Sequence, residues 1–209
     1  MRVLLLSMPD SFEHTPSLTM RMPNAGLASL AGNVDDHHEV AIADLICVQG
    51  HVSATVRRLM REVRPQVVGL SVMTFQRRTA HGIVRLVREI DPSVTVVTGG
   101  YDPSLAPEEY EHRSRGVDAI VRGEGDLTFR ELVRAIETRA PLDAIAGLSW
   151  RRGPVMVHNP PRPVSALGEE VRPPRRAARV LDGYTFLGRP IDIVETSRGC
   201  TYDCSFCSI

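Results

Sequence analysis

The sequence predicts an α/β fold, a doubly wound parallel five-stranded sheet with helices on both faces, over residues 1–145. Short apolar runs alternate with helix-period segments five times along that stretch. Two of the helical segments carry unbroken apolar stripes. The length, 209 residues, and the hydrophobic content, 43%, suit one sizeable core or one domain with part of another, and argue against wholesale disorder.

The elements follow in order. Val3 to Leu6 is a buried strand candidate, and a helix follows from Asn24 to Asn33. Glu39 to Ala43 is the second strand. Val52, Val56, Leu59, Met60 and Val63 form one stripe of an amphipathic helix. Gln66 to Val72 is the third strand, rich in β-branched residues. Ile83, Leu86, Val87 and Ile90 mark the next helix, which Asp91-Pro92 ends because proline disfavours helix at the residue before it. Val94 to Val97 is the fourth strand and runs into Thr98-Gly99-Gly100. A helix from Ala106 to Arg113, a strand from Ala119 to Val121 and a helix carrying Leu132, Val133 and Ile136 complete the unit. Sheets of this kind bind ligands at the C-terminal ends of their strands, near the switch in strand order.

After Gly147 the texture changes. Leu148 to Arg151 and Val155 to His158, with Arg152-Gly153-Pro154 between, predict a small β-hairpin. Residues 146–190 are read as hairpin plus extended linker, because the stretch from Asn159 holds six prolines and the run Arg172, Arg175, Arg176, Arg179. A basic nucleic-acid arm is the rival reading, and scarce aromatics weaken it. Ile191 to Thr196 predicts a fresh strand that opens a further domain, residues 191–209.

Composition narrows the function classes. Charges balance at 25 basic and 25 acidic residues, so no global field draws the chain to nucleic acid or an anionic membrane. All the basic residues are arginine, which reads as coding bias and carries no function. No stretch approaches the ~18 apolar residues of a membrane span. The N-terminus, interrupted by Pro9 and Asp10, does not read as a signal peptide. The expected location is the cytoplasm.

The cysteines carry the chemistry. Of the four, Cys47, Cys200, Cys204 and Cys207, the last three fall within eight residues in the spacing C-x3-C-x2-C. Such clustering reads as metal binding in a reducing compartment. Three thiolates on one loop suit three irons of a 4Fe–4S cube and leave the fourth open. A structural zinc site would want a fourth cysteine or histidine, and none lies between Asp182 and Ile209; Cys47 serves only if the fold brings it close.

Glu195-Thr196-Ser197-Arg198-Gly199-Cys200, with Tyr202, Cys204, Phe206 and Cys207, resembles the cluster loop of the radical S-adenosylmethionine superfamily. The resemblance implies that S-adenosylmethionine fills the open iron, that Phe206 packs near its adenine, and that an external electron donor reduces the sulfonium by one electron. The 5′-deoxyadenosyl radical released then abstracts a substrate hydrogen. A doubly wound domain placed before this loop resembles the cobalamin-binding members of the superfamily, which include methylases and ring-forming enzymes. The carriers are Gly26-Leu27-Ala28-Ser29-Leu30-Ala31, His38-Glu39-Val40 with Asp44, Val68-Gly69-Leu70-Ser71, Gly99-Gly100-Tyr101-Asp102-Pro103, Val121-Arg122-Gly123-Glu124-Gly125-Asp126 and Gly147-Leu148-Ser149. The expected sheet is flavodoxin- or Rossmann-like.

This resemblance implies that Ser71, Thr74, Gly99, Gly100 and Tyr101 flank the nucleotide tail of cobalamin, with Gly123, Glu124 and Gly125 at a helix N-terminus nearby. On chemistry alone, Gly-Gly after a strand also reads as a turn, Asp126 as a helix cap and Glu124 as an interdomain contact. One departure stands out. Where cobalt-ligating domains carry D-x-H-x-x-G, this chain has Asp44-Leu45-Ile46-Cys47-Val48-Gln49 and then Gly50. Isoleucine cannot bind cobalt, so no histidine ligand is expected. The remaining histidines, His37 and His38 among them, read as surface or packing residues.

A radical barrel needs about six strand–helix repeats, on the order of 200 residues past its first strand. The chain is therefore read as the first strand and cluster loop of an incomplete barrel: a fragment, or a polypeptide whose barrel is supplied by another chain. The leading expectation is methyl transfer or related radical chemistry in the complete enzyme. The rival is a standalone cobalamin- or nucleotide-binding module without catalysis. The substrate is not legible.

Overall fold

The computed structural model describes residues 1–9, 20–164, 169–200, 202, 204 and 205. The chain enters as β1 (Arg2–Ser7), followed by the short β2 (Met20–Arg21) and α1 (Ala25–Asn33). Asn24 caps α1: its side chain accepts from the Leu27 amide at 2.9 Å, satisfying one of the free N–H groups of the first turn. β3 (Glu39–Asp44) and α2 (Val52–Val63) come next, then β4 (Val67–Ser71) and α3 (Arg77–Ile90). β5 (Thr95–Gly99) leads into two short helices, α4 (Tyr101–Leu105) and α5 (Glu108–Glu111). β6 (Ala119–Val121), α6 (Gly125–Thr138) and the hairpin β7 (Leu148–Arg152) and β8 (Val155–His158) follow.

Five strands run parallel in the order β3-β1-β4-β5-β6. Numbered among themselves these are 2-1-3-4-5, the flavodoxin-like order, whose switch point lies between β1 and β4. The hairpin does not stand apart. β7 pairs antiparallel with β6, so the sheet has seven strands rather than the five expected. A hairpin buries its apolar face most readily by extending a sheet already present.

Each face has its own core. Leu4, Leu6, Val68, Leu70, Val96 and Ile120 meet α2 and α3. Val3, Leu5, Val67, Val97 and Val121 meet α1 and α6. The strict side-to-side alternation of a strand makes this division.

Two sequence expectations are corrected. The helix expected over Ala106–Arg113 is shortened to α5: Ala106 before Pro107 is non-helical (φ −136°, ψ 62°), and His112 turns extended (φ −63°, ψ 130°) and ends it. The strand expected over Ile191–Thr196 is not formed, and residues 191–200 carry no regular structure. Its apolar alternation is strand-like, but no partner strand lies beside it among the described residues, and a strand needs a ladder to hold it.

The linker is also more ordered than its prolines suggest. β9 (Thr185–Phe186) and β10 (Arg189–Pro190) form a small antiparallel sheet with β2. The stretch before them packs back on α1 and β3. The Arg175 amide donates to Ala28 O and the Val180 amide to Ile42 O, both at 2.8 Å. Gly32 makes this approach possible, because a β-carbon there would sit 2.0 Å from Pro173 O. Gly32→Ala should therefore lower stability by about 1–3 kcal/mol, although alanine in a helix interior ordinarily gains about 0.5–1 kcal/mol over glycine. Denaturant melts check the sign, and a raised midpoint would contradict this packing. Among the described residues no helix is long and apolar enough to cross a membrane.

Candidate cofactor site at the switch point

At the C-terminal edge of the sheet, Ser7 of β1 lies level with Ser71 of β4 and with Asp44 of β3. Ser71 in turn is level with Gly99 of β5, and Gly99 with Val121 of β6. By strand alternation Ser7, Ser71 and Gly99 share the face covered by α1 and α6. Three small residues in one row keep side-chain bulk low under the N-terminal ends of those helices, at the switch point, and this low strip is the candidate trough. Asn24 closes one side, its Nδ2 donating to Ser71 Oγ at 3.2 Å. Gly125 closes the other; a β-carbon on it would meet Leu30 at 3.0 Å. Gly99 lets the floor stay low, since its β-carbon would stand 3.3 Å from Val121 O.

Gly100 has a different reason to be glycine. Its φ is +97°, and a β-carbon would lie 2.8 Å from Val72 O. The loops that leave β4 and β5 expose Met73, Phe75, Tyr101 and Leu105, an apolar rim beside the trough. Thr74 is exposed on the same turn, where its hydroxyl helps hold the nearby Asp102 carboxyl charged.

Asp102 organises this rim. It is buried and accepts from Arg77 Nε at 2.9 Å, Arg77 Nη2 at 2.7 Å and Tyr110 Oη at 2.5 Å. Burial by itself would raise its pKa, but the Arg77 and Tyr110 hydrogen bonds outweigh it and the carboxyl stays below its usual range. Tyr110 is pushed up by burial and by the bond it donates to Asp102. These groups fix the α4–α5 segment and carry no free proton for chemistry.

Behind the expected glycines, Gly123 (φ +71°) donates its amide to Ser104 Oγ at 3.0 Å. Glu124 sits at the N-cap of α6 without a side-chain cap bond. On the far side Asp44 is fully buried. It accepts from the Asn24 amide at 3.2 Å and from Tyr184 Oη at 2.7 Å. Cys47 lies half-buried in the turn after β3, its thiol pushed up to about 11 by burial and by nearby Asp44. It is a protonated packing group at neutral pH and not a poised ligand.

The segment before the cysteines returns to this edge. Arg198 donates from Nη1 to Asp126 Oδ2 at 2.5 Å and from Nη2 to Ser29 Oγ at 2.8 Å. Ser29 Oγ also donates to Asp126 Oδ1 at 2.5 Å, and Asn33 Nδ2 to the same oxygen at 3.2 Å. Arg198 Nε reaches Glu195 at 2.7 Å. Asp126 is thus the buried centre of a latch between α1, α6 and the loop, and not the helix cap its position suggested. Two residues on, Cys200 is exposed, as is Cys204. Phe206 and Cys207 lie outside the described residues.

Ser7, Asn24, Tyr184 and the Arg198–Asp126 pair were not singled out from sequence as parts of a site. Buried acids such as Asp44 and Asp126 need partners, and that was the only signal; their partners sit 140 and 72 residues away.

The description "B12 binding domain" matches residues 16–133, more than half of the chain. The chain belongs to the B12-binding domain family. This B12-binding domain is 32% identical over 208 residues to "Uncharacterized methyltransferase PH0819" of Pyrococcus horikoshii, covering all of the present chain and 45% of that protein. It is also 32% identical over 156 residues to the "Cobalamin-dependent radical SAM methyltransferase TokK" of Streptomyces tokunonensis, covering 69% of the chain and 22% of the relative. Its fold resembles that of OxsB, a cobalamin-dependent S-adenosylmethionine radical enzyme solved with aqua-cobalamin and S-adenosylmethionine bound. The TM-score is 0.78 at 24% identity, over 99% of this chain and 28% of that one. The chain spans less than half the length of these relatives.

Proposed function

We propose that the chain is the cobalamin-binding and cluster-loop portion of a radical S-adenosylmethionine enzyme that transfers a methyl group or carries out related radical chemistry when complete. The single observation behind this reading is the row Ser7–Ser71–Gly99 at the switch point of a B12-binding domain. A trough floored by small residues fits a flat aromatic nucleotide tail, and the exposed Met73, Phe75, Tyr101 and Leu105 fit the broad face of a macrocycle. Ser71, Gly99 and Gly100 would line the tail, with Thr74 and Tyr101 on the rim and Gly123, Glu124 and Gly125 at the head of α6. Ile46 stands where a cobalt-binding histidine would be, so the lower cobalt face would lack a protein ligand. Bound cobalamin would supply a transferable methyl group.

Cys200, Cys204 and Cys207 would hold the 4Fe–4S cluster, and Phe206 would support S-adenosylmethionine. Thiolates are the donor set such a cluster takes. Arg198 would fix the direction in which the loop leaves the domain, keeping the cluster near the trough. The radical barrel would come from further polypeptide, on this chain or another, and the electron from an external donor. Cytoplasmic location suits thiolates that must stay reduced.

Anaerobic reconstitution with iron, sulfide and cobalamin tests this reading. A visible cluster absorption that changes on adding S-adenosylmethionine, together with retained cobalamin, is the expected result. Cobalamin retained without any cluster would favour a standalone binding module, and zinc retained in place of iron would overturn the cluster assignment.

A further inference from the structure

A second cluster of ligating groups lies at the opposite edge of the sheet. His37 and His38 sit on the turn between α1 and β3, and Glu137 in the last turn of α6. One donor atom from each comes within 4.8 Å of the others. His37 Nε2 is 3.1 Å from Glu137 Oε2, and His38 Nε2 is 3.7 Å from the same oxygen. Tetrahedral zinc with bonds of about 2.0–2.1 Å places its ligands roughly 3.3 Å apart, so these separations need only small side-chain rotations.

The arrangement as it stands leaves one group unexplained. The His38 side chain is fully buried, yet its Nε2 has no hydrogen-bond partner. Its other nitrogen is taken, with Nδ1 2.8 Å from the Met1 nitrogen. That contact fixes the ring with Nε2 turned toward Glu137, as an outer partner orients a ligating histidine. Buried polar nitrogens are normally satisfied, and an orphan needs a cause.

We propose that His37, His38 and Glu137 bind a divalent transition-metal ion, zinc foremost, through the two Nε2 atoms and a carboxylate oxygen. Two imidazoles and one carboxylate suit zinc, whereas magnesium and calcium favour oxygen ligands alone. His37 and Glu137 line a broad groove of about 1020 Å³ along this edge. The fourth metal position therefore faces solvent and takes water. Ligation through Nε2 puts the ring proton on Nδ1, 2.8 Å from the Met1 nitrogen; the N-terminal ammonium gives up one proton to solvent, and the neutral amine then accepts from Nδ1, so one proton leaves per ion bound. The bound ion pins the α1–β3 turn to the end of α6, remote from the cofactor trough.

The test is a Co²⁺ and Zn²⁺ titration of the full, tag-free chain carrying Cys200→Ser, Cys204→Ser and Cys207→Ser, which removes competing thiolates. One equivalent of Co²⁺ should bind with weak visible bands and no thiolate charge-transfer band, and Zn²⁺ should displace it and raise the melting temperature. His37→Ala and Glu137→Gln change partly exposed side chains and should leave the circular dichroism intact. Each should weaken binding by more than the roughly 10- to 100-fold lost when an outer-shell partner is removed. Absence of binding, binding unchanged by these two substitutions, or a thiolate band from Cys47 would each overturn the proposal and leave an ion pair only.

Discussion

Cys200→Ala should abolish the iron–sulfur cluster while leaving cobalamin binding intact. Three thiolates are the smallest protein set that holds three corners of a cube, and removing one leaves two irons without protein ligands. The reconstituted parent should carry roughly four irons per chain, and the variant close to none. Cobalamin retention is the internal control. Cys200 is exposed and belongs to neither core cluster, so its loss should not disturb the sheet or the trough. Iron and sulfide analysis beside the cobalamin absorption spectrum reads both outcomes from one sample. A variant that keeps a full cluster would remove Cys200 from the ligand set, and one that loses cobalamin as well would mean that loop and trough are a single unit.

Asp126→Ala should cost about 3 kcal/mol, the scale seen when one partner of a buried ion pair is removed. The aspartate is almost wholly buried, while Arg198 is four-fifths covered, with 21% of its side chain exposed. The substitution takes the buried carboxylate from Arg198, which keeps only the half-exposed Glu195 as an acidic partner, and leaves Ser29 Oγ short of its acceptor, while Asn33 Nδ2 still reaches Ser29 O and Arg172 O. Asp126→Asn, which keeps the shape and one acceptor oxygen, should cost less. A double-mutant cycle with Arg198→Ala isolates the pair, because Asp126→Ala should cost markedly less once the guanidinium is gone. Additive losses in denaturant melts would show that the latch carries no coupling. Since Arg198 lies two residues before Cys200, Asp126→Ala should also make the reconstituted cluster more sensitive to oxygen.

Much of the central sheet was legible because its signals are local. Val3–Leu6, Gln66–Val72 and Ala119–Val121 are apolar runs that nothing but a buried strand accommodates well, and the observed strands match them within a residue or so. The stripes of α2 and α3 were equally plain. What stayed hidden depends on partners distant in sequence. The hairpin was foreseen, but its docking on β6 was not, because an edge ladder leaves no mark in either strand. Ile191–Thr196 has a strand's composition without a strand's neighbour. His37 and His38 read as surface or packing residues, and only the packing of α6 over the α1–β3 turn decides between the two, burying His38. In the trough, Ser71 and Gly99 could be named from their place after strands, whereas Ser7 gains its meaning only from the register that sets it beside Ser71.

The seat of the cofactor is tested most directly by equilibrium titration of the chain and its Gly99→Val variant with hydroxocobalamin. Gly99 is in strand conformation, outside the left-handed region, so valine is compatible with its backbone, and circular dichroism checks that the variant stays folded. Its branched side chain would fill the floor of the trough, where even a β-carbon stands 3.3 Å from Val121 O. The expected result is one cobalamin per parent chain and affinity at least about tenfold weaker in the folded variant. Equal affinity in the two would mean that cobalamin does not sit on the Ser7–Ser71–Gly99 row.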